Sequence, residues 1–292
     1  MVEALGVPCT PGSAYWNQRF TLQQAGDRLL SLRQTVGLPV DLSGFQWAQL
    51  FALALEFQPD VIIELGRGYG NSTCVFTEAA HRLPNPCHVI SLGDCATWDH
   101  KTIPRLRSIV DQDWFRPLEA PIGDILTFDF EKALAGKKRV LIFWDAHGFD
   151  VAEHVLGTVL RLIQNVPHIV ALHDMSDLRY CGEPDAKGEY AVWKGSDSDE
   201  GRFCLGNVMS KVPQAISVID FTARNRLTFD SADHSIHTTI GNDPAKLAEM
   251  QAVLGPELFS TKAFWFWFTL NEHPGPYKFP RAKLRGEVTG SQ

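Results

Sequence analysis

Four side chains in two short runs could do acid–base or metal chemistry: Asp145 and His147 in Trp144-Asp145-Ala146-His147-Gly148, and His173 and Asp174 in Leu172-His173-Asp174-Met175. Each run follows an apolar segment that reads as a strand, 139–144 and 169–172. Carboxylate oxygens and imidazole nitrogens delivered to one cleft can bind a divalent metal, and a histidine can accept a proton near neutral pH. A third run is of another kind. Residues 61–73 read Val-Ile-Ile-Glu-Leu-Gly-Arg-Gly-Tyr-Gly-Asn-Ser-Thr. The β-branched Val61, Ile62 and Ile63 suit a buried parallel strand, while Gly66, Gly68 and Gly70 let a ligand lie against bare backbone. Free amides at the start of the next helix, with its dipole, would then hold a carboxylate or phosphate.

The elements that must position these groups alternate along the chain. An apolar helix over 45–57, stopped by Pro59, leads into the glycine-rich strand. A helix over 73–83, a strand over 88–92 and a mixed helix over about 102–112 follow, then a weak strand at 117–122 that Pro121 breaks. A short helix at 128–136, the strand at 139–144, a helix over 151–163 and the strand at 169–172 continue the pattern. Later, a helix over 244–254 precedes a strand at 263–270, where Phe and Trp alternate as they would if both faces were buried. Such alternation predicts an α/β fold: a Rossmann-like, doubly wound, mostly parallel seven-stranded sheet with helices on both faces and N-terminal helices before it. Its ligands would sit beyond the carboxyl ends of the strands. We divide the chain into an N-terminal helical extension (1–42), one Rossmann domain (43–280) with a long insertion after strand five (178–207), and a tail (281–292).

The spacing of the glycine-rich turn selects among ligands. A dinucleotide fingerprint G-x-G-x-x-G would need glycine at 71, where Asn71 stands. Glu64-Leu65-Gly66, with Gly70, Ser72 and Thr73, instead resembles the first motif of class I S-adenosylmethionine-dependent methyltransferases, in the E-L-G-x-x-x-G-x-S-T form of the catechol O-methyltransferase type. The resemblance spans about residues 55–180. It implies that the turn, with Glu64, Gly66, Arg67, Gly68, Gly70, Asn71 and Ser72, holds the methionine half of the cofactor S-adenosyl-L-methionine. It further implies an acid after strand two for the ribose hydroxyls and one after strand three near the adenine amine. Asp94 and Asp124 stand at those stations by order, although Gly93 takes the place where the first acid often falls, and a solvated turn aspartate is the alternative for Asp94.

In catechol-type and macrolide-sugar O-methyltransferases the junctions after strands four and five hold a magnesium ion through acids or an amide. Asp145, His173 and Asp174 match those positions, and Asp145 would also border the cofactor. His173 departs from the family's acid, so manganese or another nitrogen-tolerant ion fits as well as magnesium. A metal-independent His–Asp site is the alternative. Related sugar O-methyltransferases carry a histidine base just past the strand-four acid, and His147 stands one residue short of that spacing; a buried or capping histidine is its alternative. The resemblance thus names Asp145, His147 and His173 as catalytic and implies in-line methyl transfer to a hydroxyl of a small molecule, a sugar or secondary metabolite. A nicotinamide-dependent oxidoreductase and a cofactor-binding protein without turnover are the competing classes.

Composition bounds the rest. With 292 residues, 45% hydrophobic, the chain can bury one large core. A net charge of −7 without a Lys/Arg run speaks against nucleic acid as a partner. No stretch approaches the roughly 18–20 apolar residues of a membrane span, and no basic-then-apolar leader opens the chain, so the expectation is a cytoplasmic protein off the membrane. A homo-oligomer is compatible with this reading. The six cysteines form no C-x-x-C pair and read as reduced thiols, with Cys74 buried. The 178–207 segment carries Tyr180, Tyr190, Trp193 and Phe203 among Gly and Asp and reads as a lid over the acceptor. Limited proteolysis tests it: cutting there should be suppressed when cofactor and acceptor are both bound, and unchanged cutting together with normal turnover after shortening would reduce it to a surface loop.

Overall fold

The computed structural model describes residues 9–37, 42–173, 214–272 and 274–280. The 178–207 segment, Asp174 and the 281–292 tail lie outside them.

Seven strands form one sheet: β1 (Val61–Leu65), β2 (His88–Leu92), β3 (Leu118–Glu119), β4 (Val140–Trp144), β5 (His168–His173), β6 (Asp230–Ser231) and β7 (Trp265–Phe268). Their order is β3-β2-β1-β4-β5-β7-β6. The β1–β2, β1–β4, β2–β3 and β4–β5 pairs are parallel, and β7 runs antiparallel to both its neighbours. The fold is therefore the expected doubly wound, Rossmann-like one. Its strand order departs from the dinucleotide order 3-2-1-4-5-6 by slipping a reversed β7 between β5 and β6. The weak third strand is short because Pro121 cannot donate to the ladder; pairing resumes beyond it as an isolated Gly93–Ile122 bridge.

Period-two alternation sorts the strand side chains into two layers. Ile62, Leu141, Phe143, Ile169, Ala171, Trp265 and Trp267 enter one core, with α1 (Pro11–Asn17), α2 (Arg19–Val36), α3 (Gly44–Phe57) and α4 (Asn71–Ala80). Val61, Ile63, Val140, Ile142, Val170, Leu172 and Phe268 enter the other, beneath the helical run from Phe149–His154 to Leu160–Ile163 and a helix over 214–224. The N-terminal helices are not set apart from the domain. Tyr15 and Leu22 are fully buried in the first core, and the Tyr15 hydroxyl donates to the Leu258 carbonyl.

Helix α3 is nearly all buried and is held at its start by a capping box: Ser43 accepts from the Gln46 backbone, and the Gln46 side chain accepts from the Ser43 backbone. It ends at Gln58, in the left-handed region, just before Pro59. The expected mixed helix near 102–112 divides into a π-turn at Trp98–Thr102, one helical turn at Ile103–Leu106 and a 3-10 turn at Gln112–Phe115. Cys74 is fully buried, and burial raises its thiol well above the usual range.

At the foot of β5, His168 is fully buried; the Leu270 N–H donates to its Nε2 (3.0 Å) and its Nδ1 faces the Val166 carbonyl (2.8 Å). The pattern needs a neutral ring protonated on Nδ1, and burial pulls the pKa from 6.5 to about 4. A lowered histidine pKa means the unfolded chain takes the proton first, so folding loses stability as pH falls from about 6.5 toward 4, by about 3 kcal/mol in all. The His168 ring signals in an NMR titration should accordingly remain neutral to about pH 4, and a midpoint near 6.5 would contradict this burial.

Candidate functional site

The site begins with a row of strand ends. The registers Leu65↔Trp144 and Trp144↔Leu172 bring the ends of β1, β4 and β5 level, so Gly66, Asp145 and His173 follow one another across the sheet. The Asp145 N–H donates to the Leu65 carbonyl at 2.7 Å. A Cβ on Gly66, whose φ is +99°, would lie 2.6 Å from Ala146 N and 2.7 Å from the Asp145 carbonyl carbon. Only glycine lets the turn pass this close to β4.

Beyond Gly66 the turn opens. Gly68 has φ +50°, and nothing lies within 4 Å of where its Cβ would be. Helix α4 then starts at Asn71 with Gly70 as its N-cap and no capping side chain. Its first amides are the orphan donors expected at a helix start. Asn71 is buried and its Nδ2 has no partner. An open cradle, uncapped amides and an orphaned buried donor fit a small anionic group such as a carboxylate.

The side chains of Glu64 and Ser72 are engaged with each other. The Glu64 carboxylate is fully buried behind the turn, accepting from the Ser72 hydroxyl and from Thr73 Oγ1 (2.5 Å). Burial pushes its pKa up to about 7, against the pull of these hydrogen bonds. Its alternation on β1 points it toward α4, so the acid ties the strand to the helix start, and the Ser72 hydroxyl is spent on it. Arg67 is also buried: Nη1 donates to Ser91 O (2.5 Å) and Nη2 to Pro121 O (3.1 Å), bridging the ends of β2 and β3. Burial lowers its pKa, and Glu64 opposes that. Here the structure explains Gly93, since a Cβ there would stand 3.1–3.3 Å from the Arg67 side chain. Asp94 is exposed just past β2. Asp124 is exposed beyond β3, its Oδ1 accepting from Leu126 N (2.9 Å).

On the acceptor side, Asp145 Oδ1 and His173 Nδ1 are 3.0 Å apart, with side-chain exposures of 20% and 8%, which leaves the carboxylate as the more accessible partner. His173 Nε2 faces Gln46 Nε2 on α3 at 3.4 Å, and that amide donates to the Ala263 carbonyl at 2.7 Å. No spacing in the sequence singled out Gln46; it reaches the site because His173 alternates onto the α3 face. His147 sits half-buried on the same junction as Asp145. His154, one helix further, packs on Phe130, and burial lowers its pKa.

The metal reading asks Asp145, His173 and Asp174 to share an ion. Among the described residues no group of three His, Cys, Asp or Glu side chains is arranged to hold one. Asp174 lies outside the described residues, and the two His173 nitrogens face Asp145 and Gln46, so an ion bound by His173 would have to displace one of these contacts.

No family model matches this chain and no curated protein does. Solved structures similar to it include an S-adenosylhomocysteine-bound methyltransferase from Podospora anserina, with 16% identity over 70% of this chain and 82% of that one and a TM-score of 0.48. An O-methyltransferase from Bacillus cereus in complex with S-adenosylhomocysteine shares 15% identity over 71% and 82% of the two chains, with a TM-score of 0.42. The Streptomyces achromogenes O-methyltransferase involved in tomaymycin synthesis, in complex with S-adenosylmethionine, gives 16%, 71%, 81% and 0.44. At such values the function must be read from the site itself.

Two contrasts test the cradle. Gly66→Ala should unfold or fail to express, because its methyl meets β4 backbone, whereas Gly68→Ala should fold at a cost of about 1–2 kcal/mol for the left-handed residue. Ser72→Ala should lower stability by about 1–3 kcal/mol by leaving Glu64 short of a donor. Chemical denaturation measures all three, and equal stability of the two alanine-for-glycine variants would contradict the close packing at Gly66.

Proposed function

We propose that the chain is a class I S-adenosylmethionine-dependent methyltransferase acting on a hydroxyl of a small molecule, a sugar or secondary metabolite being the class favoured by the sequence motifs. The observation that carries the reading is the open cradle at Gly68 and the uncapped start of α4, set beside Asp145 in the same row of strand ends. Asn71 in place of a third fingerprint glycine, and the reversed β7 within the strand order, count against a nicotinamide site.

When bound, the cofactor supplies an electrophilic methyl on a sulfonium. The protein's share is to hold and orient. The α4 amides and Asn71 Nδ2 would receive the cofactor's carboxylate, with Gly68 leaving room for it. Arg67 braces β2 against β3 on the side where the adenosine would lie, and exposed Asp94 would meet the ribose hydroxyls there. Asp124, with one oxygen given to its own turn, would offer the other to the adenine amine. Asp145 accepts the acceptor's hydroxyl proton at the oxygen not bonded to His173, and His173 fixes the carboxylate's direction. His147, on the same junction, is the second candidate base. A metal-free site is the simpler reading of this bonding. The acceptor, a small molecule, would enter over β4 and β5.

Calorimetry with S-adenosylmethionine and S-adenosylhomocysteine should show binding that weakens about tenfold, ~1.4 kcal/mol, in Gly68→Ala. Asp145→Ala should bind both ligands normally yet transfer no methyl to a panel of hydroxylated acceptors that the wild type uses. Absence of heat with either ligand sinks the proposal, and full transfer by Asp145→Ala removes the base assignment. A chelator should leave transfer unchanged.

A further inference from the structure

We propose that Gln46, outside the motif-bearing strands, is a positioning residue: its side-chain amide holds His173 as the neutral tautomer protonated on Nδ1, and so fixes which oxygen of Asp145 is left open. The inference rests on the reading of Asp145 as the reacting carboxylate. It follows from a chain of donors and acceptors that runs from Ser43 and Ala263 through Gln46 to His173 and Asp145.

The amide's orientation is set by its neighbours, not by choice of rotamer. Gln46 Oε1 lies 2.9 Å from the Ser43 N–H and 2.9 Å from Ser43 Oγ, while the other end of the amide lies 2.7 Å from the Ala263 carbonyl. A backbone N–H needs an acceptor and a carbonyl needs a donor, so the oxygen faces Ser43 and the nitrogen faces Ala263. That nitrogen carries two hydrogens. One goes to Ala263, and the other is left for His173 Nε2, 3.4 Å away. An imidazole nitrogen facing an N–H must present its lone pair, which puts the ring proton on Nδ1. Nδ1 is the nitrogen 3.0 Å from Asp145 Oδ1, and it donates there.

Two consequences distinguish this from ordinary packing. An imidazolium would turn an Nε2–H against the amide N–H, so Gln46 disfavours a charged His173 and leaves Asp145 as an anion held by a neutral donor. The capping box of α3 also becomes part of the site, since the same Gln46 oxygen that caps the helix fixes the amide. The described groups facing the ring are Asp145 from β4, Gln46 from α3 and the Phe143 ring.

Two-bond nitrogen–proton NMR spectra of histidine-labelled protein read the tautomer directly, with His173→Asn assigning the signal and His168, independently held on Nδ1, serving as an internal reference for the fold. The wild type should show His173 protonated on Nδ1 alone at pH 7.5. In Gln46→Glu, whose carboxylate accepts at Nε2, His173 should become doubly protonated while the His168 signals stay in place. A wild-type ring protonated on Nε2, or a Gln46→Glu ring identical to the wild type, overturns the proposal, whether or not methyl transfer is found. Where transfer is found, Gln46→Met should lower kcat by about 10- to 100-fold, part of the ~10²–10⁴-fold that a positioned base supplies, with S-adenosylhomocysteine affinity unchanged. An equal loss of both would make Gln46 merely structural.

Discussion

Everything in the site depends on the level at which three parallel strands stop. Because β1, β4 and β5 are in register, Leu65, Trp144 and Leu172 stand level, and the next residues form the row Gly66, Asp145, His173. The row is tight. A 2.7 Å hydrogen bond ties Asp145 to β1, and the missing side chain of Gly66 lets the glycine turn cross against that bond. A cofactor cradle and a reacting carboxylate thus share one wall. A one-residue slip of β4 would put Trp144 in the row and turn Asp145 to the other face.

Two acids divide the labour around that wall, and their surroundings decide their roles. Glu64 is sealed off and shared by two hydroxyls from α4, with burial moving its pKa to about 7. It secures the helix whose amides face the cradle. Asp145, one-fifth exposed, has one oxygen on His173 and remains open to a ligand. Distance from water, not residue type, separates the structural acid from the chemical one.

Much of this was legible in the sequence. The β-branched run with its alternate glycines marked β1 and the turn, the apolar runs ending in Asp145 and His173 marked the neighbouring strands, and the aromatic alternation at β7 placed tryptophans and phenylalanines in opposite layers as expected. What sequence could not show was direction. Ser72 and Glu64 look like ligand contacts in a motif, yet their side chains turn to each other because the alternation of β1 faces α4. Arg67 reads as a ligand residue but spans two carbonyls below it. Gln46 looked like one polar position on an apolar helix, and only the α3–β5 packing brings its amide to His173. The two-residue strand β6 was too short to leave a pattern, and β3 showed only as a weak run broken by Pro121.

The central claim is that the cradle and the Asp145 row form a single reaction centre for a sulfonium cofactor. A crystal structure grown with S-adenosylhomocysteine tests it most directly. The ligand's carboxylate should lie on the α4 amides above Gly68, with its sulfur turned toward the open oxygen of Asp145. A ligand bound elsewhere, or seated in the cradle with its sulfur turned away from β4 and β5, would contradict the account.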